Sequence, residues 1–594
     1  IRKESIDHKI SMFEAENRAK GYLTEVVSDF SYSTLRFAEI ALTKLWTQLY
    51  DGIEVHNFDT VRELAKDYEI VYTPCHRSHI DYLLLSYVIF NRGLMVPHIA
   101  AGINLNLPVV GQIMRGAGAY FIRRTFSGNE LYTSVFKEYL HSLLSRNTPL
   151  EYFIEGGRSR TGLLLPPKKG MLSMTVQSHL RGATKPIAFI PTYFGYEKLI
   201  EGTSYLNELN GKPKEAESIW GILSSARKIE KIFGQVHVNF GEPIFLDQVL
   251  TANHADQIKL NIHDELPQPV IQTVDQVANS ILENINKAVV VNPISLISLI
   301  LLNTENHALN ENDLISQIEQ YRYLLNNVKY DSRMMMTELS TVEIIQYAIK
   351  LKQVESFSQN NENWIRVAES QRILLSYFSN NILHCFILPA LVAMLIQSYK
   401  KVSCHYLIDT IKNMYPYFKE EFFLKWNLDE LENEIGSIIN SLDHLGWIIL
   451  QDNTVSMTLD EHMQSKLLSL AHLSSASLNN MLIISALLQQ YAPAQSLTLK
   501  ELENMSKAVL QKLSQTQKIQ SGYYFDSATL KSFISILKQN AVLSVKDDCL
   551  VISDDFEEKI SAIFSWYDSE MQQAIITALH FTEKELKGFK QSNK

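Results

Sequence analysis

Glycine and proline divide this chain of 594 residues into two stretches that cannot share one architecture. Of 23 glycines, 19 lie before residue 242 and only Gly436, Gly446, Gly522 and Gly588 follow; of 16 prolines, 13 lie before residue 294. These two residue types punctuate short elements, so the first stretch is turn-rich and the second is built from long uninterrupted ones. The length exceeds what a single core supports, and two to four domains are expected.

Residues 1–65 read as amphipathic helices, at 10–30 and 33–50, leading into 61–67. From residue 68 the pattern changes. The segments 68–74, 150–157, 186–194 and 234–244 are short apolar or alternating runs closed by Gly or Pro, as strands are, and 81–90, 131–145 and 170–180 between them are helical. Strands alternating with helices predict an α/β domain over 66–290, its central sheet flanked by helices. Residues 291–594 read as a mostly helical domain, in which 446–458 and 541–553 look like small hairpins, each following an amphipathic helix. Helix then hairpin suits a winged-helix shape, and its acidic surroundings favour an interaction or scaffolding role over DNA.

The composition, 46% hydrophobic and 20% charged, is that of an ordered globular protein. Cys75, Cys385, Cys404 and Cys549 are too few and too scattered for a disulfide framework or a CxxC metal site, which points to a reducing compartment. A net charge of -10 argues against general nucleic-acid binding. Yet residues 115–185 hold eleven Lys/Arg against four Glu, a local +7 that leaves -17 on the remainder. Such a basic island suits an anionic small substrate or a headgroup surface; solvated faces are the plain alternative. No signal peptide opens the chain, and Ile1 in place of Met leads us to expect residues upstream. Two apolar runs, 288–302 and 382–396, fall short of the roughly 20 residues that cross a bilayer. Each is expected to be a buried helix or an interfacial one.

Four segments carry candidate chemistry. The first, "TPCHRSHIDYLLL" (73–85), follows a strand and opens a helix. On one continuous helix His76 and Asp81 would lie about 140° apart. A turn at Pro74 and a helix beginning near Ser78 bring them together instead, and the carboxylate then holds the imidazole in one tautomer, making a general base for an alcohol. Ser78 to Asp81 also fits a capping box, and His76, His79 and Asp81 are metal-ligand types, although no second cluster completes a site. In "GAYFIRR" (118–124), Arg123 and Arg124 point to opposite faces of a strand, and Arg123 is the one assigned to a site. "YFIEGGRSRTG" (152–162) runs a strand into a glycine turn, where Arg158 and Arg160 can fork onto phosphate oxygens beside Gly156 and Gly157, with Lys168 and Lys169 extending the site. "FIPTYFGYEK" (189–198) is an apolar strand broken at Pro191, either core or the wall of an acyl-chain groove.

In this order, "HRSHID", "GAYFIRR", "FIEGGRSR" and "IPTYF" resemble the four motif blocks of the glycerolipid acyltransferases. Ile154 and Gly157 resemble the branch that acylates glycerol 3-phosphate, where the lysophosphatidic acid branch reads closer to F-P-E-G-T-R-S. The long helical C-terminal region is similar in layout to the large membrane-bound proteobacterial type, which carries more sequence ahead of the first block. The resemblance implies a central mixed sheet, a base role for His76 of the H-x4-D pair with Asp81 as its partner, and glycerol 3-phosphate binding by Arg123, Glu155, Gly156, Arg158 and Arg160. Only for Glu155 do the residues by themselves offer no role.

Direct acyl transfer to the sn-1 hydroxyl of glycerol 3-phosphate is therefore expected, from acyl-CoA or acyl carrier protein, with no cofactor, no metal and no acyl-enzyme. Membrane lipids are expected partners, nucleic acid is not, and self-association is left open. The expected place is the cytoplasmic face of the bacterial inner membrane, peripheral or monotopic. Alternatives are acylation of lysophosphatidic acid or dihydroxyacetone phosphate, a non-catalytic lipid-surface scaffold, and a metal-dependent phosphoesterase.

Overall fold

Two strands with every residue buried organise the first half of the molecule. The computed structural model describes all residues except 124, 127, 183–184, 203–204, 206–232, 494–496, 517–526, 559, 561–568, 583–584, 587 and 590–594. It comprises two units, Ile1–Asn292 with Asp331–Thr337, and Pro293–Tyr330 with Glu338–Lys594. In the first, the strands are β1 (Gly52–His56), β2 (Glu69–Pro74), β3 (His98–Gly102), β4 (Ala119–Ile122), β5 (Leu150–Glu151), β6 (Ile187–Tyr196), β7 (Gln235–Phe240) and β8 (Ile244–Phe245). They form one sheet in the order β1-β7-β6-β2-β5-β3-β4, with β8 also on β6.

The sheet is mixed. Strands β2 to β6 are mutually parallel, β7 and β8 run antiparallel to β6, and β1 runs parallel to β7. All six residues of β2 and all ten of β6 are buried, as covered parallel strands require, and both read as nearly unbroken apolar runs. Pro191 sits inside β6 at a place that tolerates it. Its neighbours on one side change there from β8, opposite Ala188 and Phe189, to β7, opposite Thr192, and the connecting Gly241 gives its N–H to the Pro191 carbonyl at 2.8 Å. No ladder bond is lost to the missing proline N–H on that side. Residues 1–65 contribute β1 as well as helices, an edge strand absent from the purely helical reading because "GIEVH" holds only two strong apolar residues.

The second unit contains, among its described residues, the same arrangement three times: a helix, a short strand, two helices and a hairpin whose second strand pairs with the first. In the first copy these are Pro293–Leu302, Ala308–Asn310, Glu311–Asn327, Thr341–Lys350, and the hairpin Glu355–Gln359 with Glu362–Arg366. In the second they are Ile387–Tyr399, Lys401–Ser403, Cys404–Phe422, Leu431–His444, and Ile448–Gln451 with Thr454–Met457. In the third they are Glu461–Tyr491, a single bridge of Thr498 to Cys549, Leu499–Gln515, Ser527–Gln539, and Leu543–Lys546 with Cys549–Ile552. That is the order of a winged helix.

Local chemistry repeats with the topology. Asn310, Ser403 and Thr498 each cap the second helix through the side chain. The hairpins turn on Asn360–Asn361, Asp452–Asn453 and Asp547–Asp548, all at positive φ, where Asn and Asp are the favoured non-glycine residues. The two hairpins expected from sequence are the second and third copies. The first escapes notice because "ESFSQNNENWIR" is polar and mostly exposed. Both short apolar runs are core: Leu296, Ile297, Leu299 and Ile300 have no exposed surface, nor have Leu388, Ala390, Leu391 and Val392. Glu461–Tyr491 is long and apolar enough to cross a bilayer, but 78% of its apolar window is buried in the fold.

Leu314, Leu407 and Leu502 hold one equivalent place, four residues past each cap, with no exposed surface. Truncating any one to Ala is expected to cost about 2–5 kcal/mol, similar at all three positions, in denaturant unfolding of the chain.

Candidate active site

Because β2 to β6 run in one direction, the segments singled out in the sequence leave the sheet at one end, the carboxyl ends of its parallel strands, where open α/β sheets take their ligands. β2 delivers residues 75–80, β5 delivers the glycine-arginine loop, β6 delivers Tyr196 and Glu201, and β4 delivers Arg123.

After β2 the chain turns and starts the helix Asp81–Asn91. The turn brings His76 Nδ1 to 3.0 Å from Asp81 Oδ2. Asp81 has no exposed surface, and its other donors are the N–H of Arg77 at 2.7 Å and of Ser78 at 2.9 Å, both on Oδ2, and the Tyr196 hydroxyl at 2.6 Å on Oδ1. A carboxylate only accepts, so Nδ1 carries the ring proton and Nε2 presents its lone pair. The ring lies on Phe153, centroids 4.0 Å apart, and 16% of the side chain is exposed. Burial pulls the His76 pKa below the ordinary histidine value; Asp81 opposes the shift, while Arg158 and His79 add to it. The imidazole is thus neutral at pH 7, the state a general base needs. The capping box expected from Ser78 to Asp81 forms only in part: Asp81 takes the Ser78 N–H, while the Ser78 hydroxyl turns to Glu201 at 2.9 Å.

The loop after β5 wraps beneath this turn. Glu155, 2% exposed, accepts the N–H of His76 at 2.7 Å and of Leu165 at 2.8 Å, and the His76 carbonyl accepts the N–H of Ser159 at 2.9 Å. Burial pushes the Glu155 carboxyl up to about 7 against the pull of those N–H groups and of Arg77. Gly156 is exposed at φ +59°, and a Cβ there would meet the Lys168 side chain at 2.5 Å. Arg158 lies 3.5 Å from Glu201 and donates to the Tyr205 hydroxyl at 3.1 Å; Arg160 stacks on the Tyr205 ring, 4.6 Å from its centroid. The Tyr205 hydroxyl donates in turn to the Arg77 carbonyl at 2.8 Å.

His76, Asp81, Glu155, Arg158 and Arg160 are therefore joined through one network. Arg123 belongs to another: it forks onto Glu25 at 2.7 Å through both Nε and Nη2 and lies between the rings of Tyr22 and Tyr132. β4 is three strand spacings from β2, roughly 14 Å, which explains the separation. Arg124 lies outside the described residues. Pro191 is buried within β6, one residue before Thr192, whose carbonyl takes the Cys75 N–H at 2.9 Å. Sequence reasoning missed Arg77, Phe153, Tyr196, Glu201 and Tyr205; nothing in the spacing of "YFGYEKLIEGTSY" marks the last three as parts of the site. Among the described residues no group of three His, Cys, Asp or Glu side chains is arranged to hold a metal.

Residues 205–546 match the family described as glycerol-3-phosphate acyltransferase C-terminal region, and residues 52–195 match the acyltransferase family. The glycerol-3-phosphate acyltransferase of Pseudomonas aeruginosa (strain UCBPP-PA14) is 40% identical over 544 residues, 91% of this chain and 65% of that protein. That of Haemophilus influenzae (strain PittEE) is 38% identical over 574 residues, 96% of this chain and 70% of that protein. The chain thus spans about two thirds of the length of these curated relatives. A solved structure, the 1-acyl-sn-glycerophosphate (LPA) acyltransferase of Thermotoga maritima, is 18% identical, covers 45% of this chain and 86% of that one, and has a TM-score of 0.23, too slight a likeness to bear on the fold.

Two outcomes test the geometry. Cys75 has no exposed surface, accepts the Phe194 N–H at 3.3 Å, and burial pushes its thiol up to about 11. Iodoacetamide at pH 8 is expected to leave it unmodified in the folded chain, read by peptide mass, and Cys75→Ala to retain the chemistry of the site. Tyr196→Phe removes one donor from Asp81, concentrates negative charge on the oxygen facing His76, and should raise the pH at which the ring protonates, followed by NMR of the imidazole.

Proposed function

This chain belongs to the glycerol-3-phosphate acyltransferase family, and we propose that it transfers a fatty acyl group from a thioester donor, acyl-CoA or acyl carrier protein, to the sn-1 hydroxyl of glycerol 3-phosphate. The product is 1-acylglycerol 3-phosphate, the start of phospholipid synthesis. The observation that carries this reading is the neutral His76 backed by a fully buried Asp81 within the same network as Arg158 and Arg160. His76 Nε2 takes the hydroxyl proton as the oxygen attacks the thioester carbonyl; the tetrahedral intermediate collapses, and the departing thiolate recovers the proton. General-base help of this kind is worth about 10² to 10⁴ in rate, and positioning supplies more. The inert thiol of Cys75 supports transfer without a covalent enzyme intermediate.

The phosphate end of the acceptor is assigned to Arg160 and Arg158 at the turn of Gly156, whose own N–H is held by the Phe153 carbonyl at 3.0 Å, with Lys168 beside them. Arg160 stacks on the Tyr205 ring, to whose hydroxyl Arg158 donates, so both arginines belong to the network that holds His76. Arg123, neutralised by Glu25, is assigned a lesser part at the rim. Pro191 keeps its assignment to the wall beside the acyl chain as part of β6. Attachment to a membrane surface is supported by Phe37, Ile40, Leu107 and Val109, exposed by 66%, 63%, 53% and 64% in the first unit, and the cytoplasmic face of the bacterial inner membrane is the place we assign to it.

Transfer from labelled acyl-CoA to glycerol 3-phosphate in lipid or detergent tests the reading. His76→Ala should lower kcat by about 10²- to 10⁴-fold. Arg160→Ala should mainly raise the acceptor KM, more than Arg123→Ala does. Preference for lysophosphatidic acid or dihydroxyacetone phosphate in competition would change the acceptor, and a folded wild type that acylates nothing would leave a lipid-surface scaffold.

A further inference from the structure

Four consecutive backbone N–H groups in the turn after β2 all end on side-chain carboxylates. His76 donates to Glu155 Oε1 at 2.7 Å, Arg77 and Ser78 to Asp81 Oδ2 at 2.7 and 2.9 Å, and His79 to Glu201 Oε1 at 2.7 Å. Successive N–H groups turned to one side make anion-binding concavities. Here the anions are the protein's own, and they come from three places: the loop after β5, the first residue of the following helix, and the segment after β6. Glu155, Asp81 and Glu201 are 2%, 0% and 3% exposed. Burying carboxylates is costly unless every oxygen is satisfied, and these are: Glu155 Oε2 accepts the Leu165 N–H at 2.8 Å, Glu201 Oε2 accepts the Ser78 hydroxyl at 2.9 Å, and Arg158 stands 3.5 Å from Glu201 Oε1.

Asp81 orients the imidazole, but the backbone from which that ring projects is fixed by Glu155 at its N–H and by Ser159 at its carbonyl. Glu201 fixes residues 78 and 79, and so sets where the helix that carries Asp81 begins. The 3.0 Å contact of the pair therefore depends on both glutamates. Family resemblance assigns Glu155 to the substrate, yet both of its oxygens are committed to backbone N–H groups.

We propose that Glu155 and Glu201 are positioning residues, two buried carboxylates that brace the His76 turn from either side and touch no substrate. The inference rests on the acyl-transfer reading only for its kinetic consequence. Each glutamate serves two donors at once; Gln retains one accepting oxygen, and Asp is shorter by a methylene.

The test uses the full chain as wild type, E155Q and E201Q. With unfolding still cooperative, both variants are expected to show kcat lowered about 10- to 100-fold, since a displacement near 1 Å costs on the order of 10² in rate, and E155Q to keep its glycerol 3-phosphate KM within about twofold of wild type. Deuterium exchange of the peptide spanning 75–80 should quicken at least about tenfold as the held N–H groups open. A raised KM at unchanged kcat in E155Q would put that carboxylate on the substrate and overturn the inference, as would unchanged kcat or unchanged exchange in both variants. Should a Gln variant not fold, E155D and E201D are read by the same criteria. If the wild type acylates nothing, the functional reading fails on its own account and exchange decides: faster exchange in the variants keeps the glutamates as braces of the turn, and unchanged exchange removes them.

Discussion

The Asp81 carboxylate is the interaction on which the rest of the site depends. One fully buried group accepts a ring N–H, two backbone N–H groups and a tyrosine hydroxyl. Hydrogen bonds to a charged acceptor contribute about 1.5–3 kcal/mol each, and removing the acceptor would orphan four donors at once. The same carboxylate starts a helix, closes a turn and fixes the tautomer of the base, so the local fold and the chemistry share one cause. Tyr196 ties this group to β6, ten residues of buried strand away from solvent, which makes the position of the base a property of the sheet rather than of a loop.

That sheet explains why segments scattered over more than a hundred residues converge. Five parallel strands put their carboxyl ends on one rim, and the strand order sets the spacing along it. β5 is the neighbour of β2, so the glycine-arginine loop reaches the His76 turn directly; β4 lies at the far end, so Arg123 finds Glu25 instead. The basic island in the sequence is accordingly dispersed around the sheet, and part of its charge is used internally: Arg158 beside Glu201, Arg123 on Glu25 and Arg181 on Glu138.

The second unit repeats one solution to a local packing problem. Each copy buries a leucine four residues past a polar cap and closes its hairpin with two left-handed Asn or Asp residues. The exposed residues of the third helix in the second copy, Glu432, Asn433, Ser437, Asn440 and His444, include no Lys or Arg. That charge pattern gives a phosphate backbone little to hold.

Much of this was legible in the residues. Glycine and proline usage marked the change of architecture near residue 290, the buried strands β2 and β6 read as apolar runs, and His76 with Asp81 could be paired by asking which turn would let them touch. The hairpins of the second and third copies were visible because their strands are apolar on one face, whereas that of the first copy, polar and exposed, was not. β1 and β3 were missed because each is five residues long and draws its burial from neighbours. By itself the sequence determined the types of side chain available and the periodicities of the elements, which are local properties. Tertiary structure alone decided which carboxylates meet which N–H groups: Glu201 lies 123 residues from Ser78 and Glu155 lies 79 from His76, and no local pattern records a contact that exists only because two strands share a sheet.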